Sequence, residues 1–552
     1  MKNIKLLLII FALAMFSCDE YLDVNTDPNR LEISQVGPDK LLPAAQLRAF
    51  RNQSTTMNQL GNVFMNSWYA NVQQYTGGYS FETRLDVDNV FYTGIFEQTY
   101  LAVANLQLII DYPNANHKYD YYIAAAKILK ANYLQRVVDL YGNVPYSEAF
   151  KGVANTTPKY DDDQLVYKKL LMELSDARAL ITAANPAADD ISSTDIMIRG
   201  NMNVWNQFAN TIELRMLMRM SNCTGTLGAF RDAKLSAIAS ASFLNQAITI
   251  NPGFLKTDAQ LNPFYSYAVA DAADATVQNF SFIAPTAHFY KSLNAYTVYP
   301  TGSSTEIKVK ELQPAGFGVN YPNVADPRRG RLFRTGAGQP YLRAITSGSN
   351  TIDMFAPGQI AGVTGRVGLG VFNPNNAVPT ITSTGNLLAD GFKVDGYVMT
   401  LSEVKFLLAE ASIFRPALFP NGSTDFDAGI NASMTYLNAV PGTYVATINT
   451  KPNFGWTGTN SEKLHAVMYQ KWISTMSVNA IESYIDYIKT GFPLTPLSVN
   501  AIQVRKPRRL IYPQSEYLAN SINTPVVTPA QAFAATDSSH PFWLLGDPAP
   551  TN

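Results

Sequence analysis

Along residues 119–140 apolar side chains recur every three or four positions, so that Tyr122, Ala125, Leu129, Tyr133, Val137 and Leu140 fall on one helical face. Tyr141-Gly142-Asn143 follows, with Gly142 placed to cap and end that helix. From about 41 to 75 the apolar spacing mixes three and four residues, through Leu47, Phe50, Leu60, Phe64 and Trp68, and predicts helix there as well. Asp161-Asp162-Asp163 introduces a further helix over about 164–182. Acidic groups favour the positive end of the helix dipole, which accounts for the triplet better than metal ligation does. Residues 203–221 carry a stripe of Trp205, Phe208, Ile212, Met216 and Met220. Arg215 and Arg219 lie one turn apart on a neighbouring face, as ion-paired scaffold residues would.

From about 223 to 395 the periodicity fades and Gly, Pro, Ser, Thr and Asn dominate. This stretch predicts irregular structure with short strands and one or two small helices, and long ordered loops on a rigid scaffold are where binding residues concentrate. Helices resume at Thr400-Leu401-Ser402-Glu403, which has capping-box spacing before an apolar run ending at Ala411. Two more are predicted at about 425–439 and 462–485; in the second, Leu464, Val467, Met468, Lys471, Trp472 and Thr475 share a face. Paired helices with short connections predict a mainly α fold of stacked, tetratricopeptide-like αα-hairpins with the loop-rich region packed on them. The last 35 or so residues are Pro-rich and aperiodic, and are expected to wrap over the surface.

The N-terminus changes where this fold is expected to work. Lys2 and Lys5 precede an apolar run from Leu6 to Phe16, the layout of a secretory signal and too short for a bilayer span of roughly 20 residues. The run ends at Ser17-Cys18, followed by Asp19-Glu20, which resembles a lipoprotein signal in which Cys18 is acylated. The looser Met15-Phe16-Ser17 box also admits plain secretory cleavage. Residues 1–17 are thus read as signal peptide, 18–39 as tether and 40–552 as a single domain. Within it the helical scaffold falls at about 40–222 and 400–490, the irregular region at 223–399 and the wrap at 491–552.

Composition narrows the function. A formal charge of −1 across 552 residues gives no electrostatic footprint for nucleic acid. Charged residues are only 15 %, while Tyr and Phe number 30 and 29; aromatics among neutral hydrogen-bonding groups suit uncharged polar ligands. With Cys18 lipidated, Cys223 has no disulfide partner and reads as a small buried hydrophobe. No HExxH, P-loop, GxSxG or CxxC occurs, and His117, His288, His465 and His540 lack metal-ligand spacing. The glycine-rich stretch Gly358 to Gly370 has no βαβ context and reads as a loop. No catalytic residue, metal or cofactor is therefore assigned, although two-carboxylate glycoside chemistry leaves no local signature to exclude.

Two aromatic clusters are candidate binding faces. The first is Trp68, Tyr69, Tyr75, Tyr79 and Phe81, interleaved with Asn66, Gln73 and Gln74 around Gly77-Gly78. The second is Phe264, Tyr265 and Tyr267, with Phe289 and Tyr290 further on. Ring planes stack on sugars while amides bond hydroxyls; ordinary packing of these rings in the interior is the competing explanation.

A series of motifs, in order, resembles the SusD/RagB family of outer-membrane nutrient-binding lipoproteins of Bacteroidetes, in the branch with an early DPN motif. They are Cys18 with Leu22 through Asn29 (LDVNTDPN), Leu41 to Ala45, Tyr141 to Ala149 (YGNVPYSEA), Gly200 through Ser221, Asp326-Pro327-Arg328-Arg329 and Glu403 to Ala411. Near the C-terminus follow Gln470-Lys471-Trp472-Ile473, Gly491-Phe492-Pro493 and Pro507 to Tyr517. One departure is Ile488-Lys489-Thr490-Gly491, where the family usually has Arg-Arg-Thr-Gly, which puts a scaffold ion pair in doubt. The resemblance implies a SusD-like α/α superhelix held on the outer face of the outer membrane by lipid on Cys18. It further implies capture of oligosaccharide or peptide for a SusC-like TonB-dependent β-barrel transporter. The rival expectations are a surface glycoside hydrolase or peptidase, and a scaffold lipoprotein without a small ligand.

Overall fold

The computed structural model describes residues 36–71, 75, 77–293, 321–334, 344–345, 352–353, 366–367, 391–476 and 478–544. Cys18 and the segment before Val36, Gln73, Gln74 and most of Gly358 to Gly370 lie outside the described residues.

The helices are α1 (Pro38–Asn52), α2 (Asn58–Phe64), α3 (Gly94–Ile110), α4 (Asp120–Tyr141), α5 (Asp163–Ala183), α6 (Met202–Arg219) and α7 (Gly225–Ile238), then α8 (Leu401–Phe414), α9 (Gly422–Tyr436), α10 (Asn460–Thr475) and α11 (Ala480–Thr490). Helices close in sequence pack on one another: α1 on α3, α3 on α4, α4 on α5, α8 on α9 and α10 on α11. The halves meet where α8 touches α6 and α11 touches α2. Strands are short: β1 (Trp68–Ala70), β2 (Ile248–Ile250), β3 (Ile283–Pro285) and β4 (Gly396–Met399). β1 pairs antiparallel with β3, and β4 with β2.

Helix boundaries follow local chemistry. Asp162 caps α5, its carboxylate accepting from the backbone N–H of Gln164 and Leu165 at 3.1 and 3.2 Å. Gly142 ends α4 with a φ of 74°, which an L side chain rarely adopts. At α8 only half of the expected capping box forms: Thr400 Oγ1 accepts from the Glu403 N–H at 3.1 Å, while the Glu403 carboxylate accepts from Asn479 Nδ2. The reciprocal box occurs instead at α10, between Thr459 and Glu462. The single helix expected over 462–485 is two, because Asn479 leaves helical geometry and the Ala480 N–H donates to Asn58 Oδ1 at 3.0 Å. There α11 lies so close to α2 that a Cβ on Gly61 would meet the Ala480 backbone at 2.2 Å. Residues 41–75 likewise divide into α1, a π-helical turn (Gln53–Met57), α2 and β1. Helices α3 and α7 were not among the predicted elements, and α7 occupies the start of the stretch expected to be irregular.

Helix α4 is apolar on one face yet buried around nearly all of its circumference. Its polar face joins a buried ion network. Glu482 of α11 takes Arg136 Nε of α4 at 2.8 Å, and Arg219 Nη2 and Arg215 Nη1 of α6 at 2.5 and 3.4 Å. Arg219 continues to Asp486 and Asp139, and Lys471 of α10 reaches Asp486 at 2.7 Å. The scaffold role expected for Arg215 and Arg219 is the one they have. At the departure from the family motif Ile488 is buried and apolar, while Lys489 has an ion pair, its ammonium meeting Glu410 of α8. Burial raises the Glu482 pKa, but Arg215, Arg136 and Arg219 together hold it well below the usual carboxylate range.

The other motifs also build scaffold. Buried Arg328 grips Asp326 with Nε and Nη2, the shortest contact 2.6 Å, and donates to Ser433 and Gln470, fastening this loop to α9 and α10. The Leu510 N–H donates to Leu140 O at 2.6 Å and Tyr512 OH to Asn143 O at 2.6 Å, so the C-terminal wrap closes over the end of α4. Cys223 is buried and free, and burial pushes its thiol up to about 11.

The folded-state pKa of Glu482 lies below its unfolded value. Its contribution to stability is therefore present above about pH 4.3 and lost as the pH falls through the folded value. Glu482→Gln should destabilise the protein by about 3–5 kcal/mol at pH 7 by stranding buried guanidiniums. In chemical denaturation the difference from the parent should narrow as the pH falls below about 4.

Candidate ligand-binding surface

The β1–β3 pairing, Trp68 opposite Pro285 and Ala70 opposite Ile283, joins the two aromatic stretches although some 200 residues separate them in sequence. Trp68 stacks on Phe264 with ring centres 6.3 Å apart and planes 5° from parallel, and its indole N–H points to Met476 Sδ at 3.1 Å. Phe264 stacks in turn on Tyr267. Both predicted clusters therefore belong to one assembly.

Their members divide by depth. Trp68 (0 % exposed), Tyr69, Phe264 and Tyr265 are interior, as are Phe289 and Tyr290. Their ring faces are covered by neighbouring side chains, which is the packing explanation. Phe81, at 57 % exposed, stands on the surface, Tyr75 and Tyr267 are half-buried, and Tyr79 is nearly buried behind them.

A turn sets the outer layer. Gly77 and Tyr79 both have positive φ, 72° and 53°, so the chain reverses between β1 and the short helix Ser80–Arg84. Gly78 sits where a Cβ would meet a Phe282 ring carbon at 2.7 Å, so the turn lies flat on that ring. Phe282 also receives Tyr75 and Tyr79 edge-on, at 5.3 and 5.0 Å between ring centres. Tyr75 OH and Ser281 Oγ are hydrogen-bonded at 2.5 Å.

A polar chain runs beneath these rings. Tyr267 OH donates to Gln59 Oε1, Gln59 Nε2 donates to Tyr92 OH at 2.5 Å, and Tyr92 OH donates to Glu82 Oε1 at 2.6 Å. Burial raises the pKa of the Tyr79, Tyr92 and Tyr267 hydroxyls, with nearby Glu82 adding to it, so all three remain protonated donors. Gln59, Glu82, Tyr92 and Phe282 escaped the sequence reading. Gln59 lies within a helix and Phe282 beyond both clusters, and only the β1–β3 pairing shows that they belong.

The result is a half-exposed aromatic surface lined with neutral donors and acceptors. Among the described residues no group of His, Cys, Asp and Glu could hold a metal ion, and no helix is long and apolar enough to cross a membrane. A rigid helical-hairpin scaffold presenting such a surface on its loops has the build of a protein that binds a polar ligand.

Comparison with known proteins makes this specific. The sequence profile of the SusD-like family described as "Starch-binding associating with outer membrane" matches residues 28–282 and 339–513, and the chain belongs to this family. Among solved structures it is similar to a chitin-binding SusD homolog from Flavobacterium johnsoniae, with 20 % identity, 87 % of this chain and 94 % of that one covered, and a TM-score of 0.62. A SusD-like protein from Bacteroides thetaiotaomicron gives 18 % identity, 88 % and 94 % coverage and a TM-score of 0.63. A SusD homolog from Bacteroides uniformis gives 19 %, 93 % and 99 %, and 0.61. No curated protein matches the sequence. The similar structures share the mainly α, tetratricopeptide-like fold expected from the helix pairs.

Depth in the assembly should separate the aromatic residues by experiment. Trp68→Ala should cost about 3–5 kcal/mol of stability by opening a cavity. Phe81→Ala should leave the melting temperature within about 1 °C of the parent, as an exposed substitution does. Thermal denaturation of the two variants beside the parent checks both.

Proposed function

We propose that this chain is a non-enzymatic cell-surface lipoprotein that binds oligosaccharide and delivers it to a SusC-like TonB-dependent outer-membrane transporter. The observation that carries the reading is the exposed edge of the aromatic assembly, Tyr75, Phe81 and Tyr267, backed by Tyr79 and Phe282. Rings of this kind stack on sugar faces, and the protonated tyrosine hydroxyls with Gln59 offer partners to sugar hydroxyls. The family's description as starch-binding and the chitin-binding protein of similar fold support a glycan. A peptide ligand is the alternative. Binding of this kind requires no acid or base of tuned pKa.

In the same reading residues 1–17 are a signal, Cys18 carries lipid, 18–39 tether the chain and 40–552 form one domain. The family's association with the outer membrane supports that placement.

The test is calorimetric titration of the purified protein with malto- and chito-oligosaccharides. Saturable binding to one of them is expected, and replacing Tyr75 and Phe81 together by Ala should weaken it at least about tenfold, roughly 1.4 kcal/mol, with a smaller loss of thermal stability than Trp68→Ala causes. Turnover of the sugar would instead favour a glycoside hydrolase, and the absence of any glycan binding a scaffold role. Separately, Cys18→Ala should move the protein from the membrane fraction to the soluble one; retention in the membrane would overturn the anchor assignment.

A further inference from the structure

A second cleft lies on the helical scaffold, between α1 and α3, with a volume of about 490 Å³. That is within the range of small-ligand sites, roughly 300–1,000 Å³. Leu47, Arg48, Arg51, Thr55, Gln98 and Asn105 line it. It shares no residue with the aromatic surface.

The charge in this cleft is uncompensated. Arg48 and Arg51 are three residues apart on α1, and both are exposed. Like charges this close on a helix repel one another. Four buried arginines of the scaffold, Arg136, Arg215, Arg219 and Arg328, each meet a carboxylate. Arg48 and Arg51 meet none among the described residues; Arg48 Nη2 donates instead to the neutral Gln98 Oε1 at 3.1 Å. No acidic residue lines the cleft. Glu97, next to Gln98 in sequence, accepts from Ser515 Oγ at 2.6 Å.

The backbone beside the arginines is also unusual. The π-helical turn Gln53–Met57 begins two residues after Arg51 and contributes Thr55 and Thr56 to the wall. Such turns are frequent at functional sites. Thr55 Oγ1 donates to Arg51 O at 2.7 Å, so the hydroxyl lies on the guanidinium side of the helix.

We propose that this cleft binds a carboxylate-bearing sugar, a uronic acid residue. Guanidinium groups match a carboxylate in planar, two-pronged hydrogen bonds. Gln98, Asn105 and Thr56 present the amides and hydroxyl a pyranose ring needs, and Ala44 with Leu47 supplies an apolar wall. Thr55 and Gln59 are four residues apart, about 6 Å along the axis, so the cleft adjoins the polar chain beneath the aromatic surface. An acidic glycan would thus find a carboxylate site beside a stacking surface.

The experiment is titration of the full chain, followed by calorimetry and by NMR of the ligand, with digalacturonate, its neutral counterpart galactobiose, and sodium sulfate. Digalacturonate should bind at least about tenfold more tightly than galactobiose, with the preference shrinking as salt rises. Arg48→Gln with Arg51→Gln should remove that preference without lowering the melting temperature. Arg48→Lys with Arg51→Lys, which keeps the charge but loses the fork, should weaken binding several-fold. Absence of digalacturonate binding, or equal binding by the Gln variant, would overturn the proposal. Sulfate binding as tight as digalacturonate would also overturn it, as an adventitious ion only. Loss of maltooligosaccharide or chitooligosaccharide binding in the Tyr75 and Phe81 variant, with digalacturonate binding kept, would separate the two sites.

Discussion

One carboxylate ties the scaffold together. Glu482 receives arginines from α4 and α6 while seated on α11, so three helices distant in sequence depend on a single buried anion. Such an arrangement is a weak source of net stability, because every charge in it has been taken out of water. What it contributes is a set of directional links between helices that lie far apart in the sequence. Asp486 and Lys471 extend it to α10, and Lys489 with Glu410 to α8. The loops that carry the aromatic surface rest on this frame, since β1 follows directly from α2, which α11 touches through Gly61.

Scaffold and binding surface use polar groups in opposite ways. In the scaffold they are charged, buried and matched to one another, and they fix geometry. On the surface they are neutral tyrosines, amides and hydroxyls that remain partly exposed and protonated. A surface of that kind recognises neutral hydroxyls without a large desolvation penalty, and it can vary in detail without disturbing the frame. Arg48 and Arg51 differ from the buried network in being exposed guanidiniums on one cleft that meet no carboxylate among the described residues.

The helical frame was largely legible in the sequence because helix signals are local. Capping acids before α5, the glycine after α4 and apolar stripes at three- and four-residue spacing each act within a few residues. Errors arose where a distant contact overrode the pattern. Residues 462–485 look like one helix until Asn58 and Glu403 capture the backbone and side chain at the break. Glu403 has capping-box spacing but its carboxylate is held elsewhere. At 488 an apolar side chain stands where the family usually has arginine, while Lys489 keeps a pair with Glu410, 79 positions away in the sequence.

Less of the candidate surface was legible. Composition singled out two stretches, where aromatic residues crowd around Gly77-Gly78 and after Pro263, and the fold brings them together. Composition has no access to depth, however, and so could not separate interior Trp68 and Phe264 from exposed Phe81. Gln59 and Phe282 carry no local sign of their role, because a strand pairing across roughly 200 residues brings them there.

The most direct test of the account is a pull-down of the tagged protein from native outer membrane in gentle detergent, with all co-purifying species identified by mass spectrometry. The account predicts a TonB-dependent β-barrel in near-equal amount. Recovery of the protein alone from well-preserved membranes would contradict it.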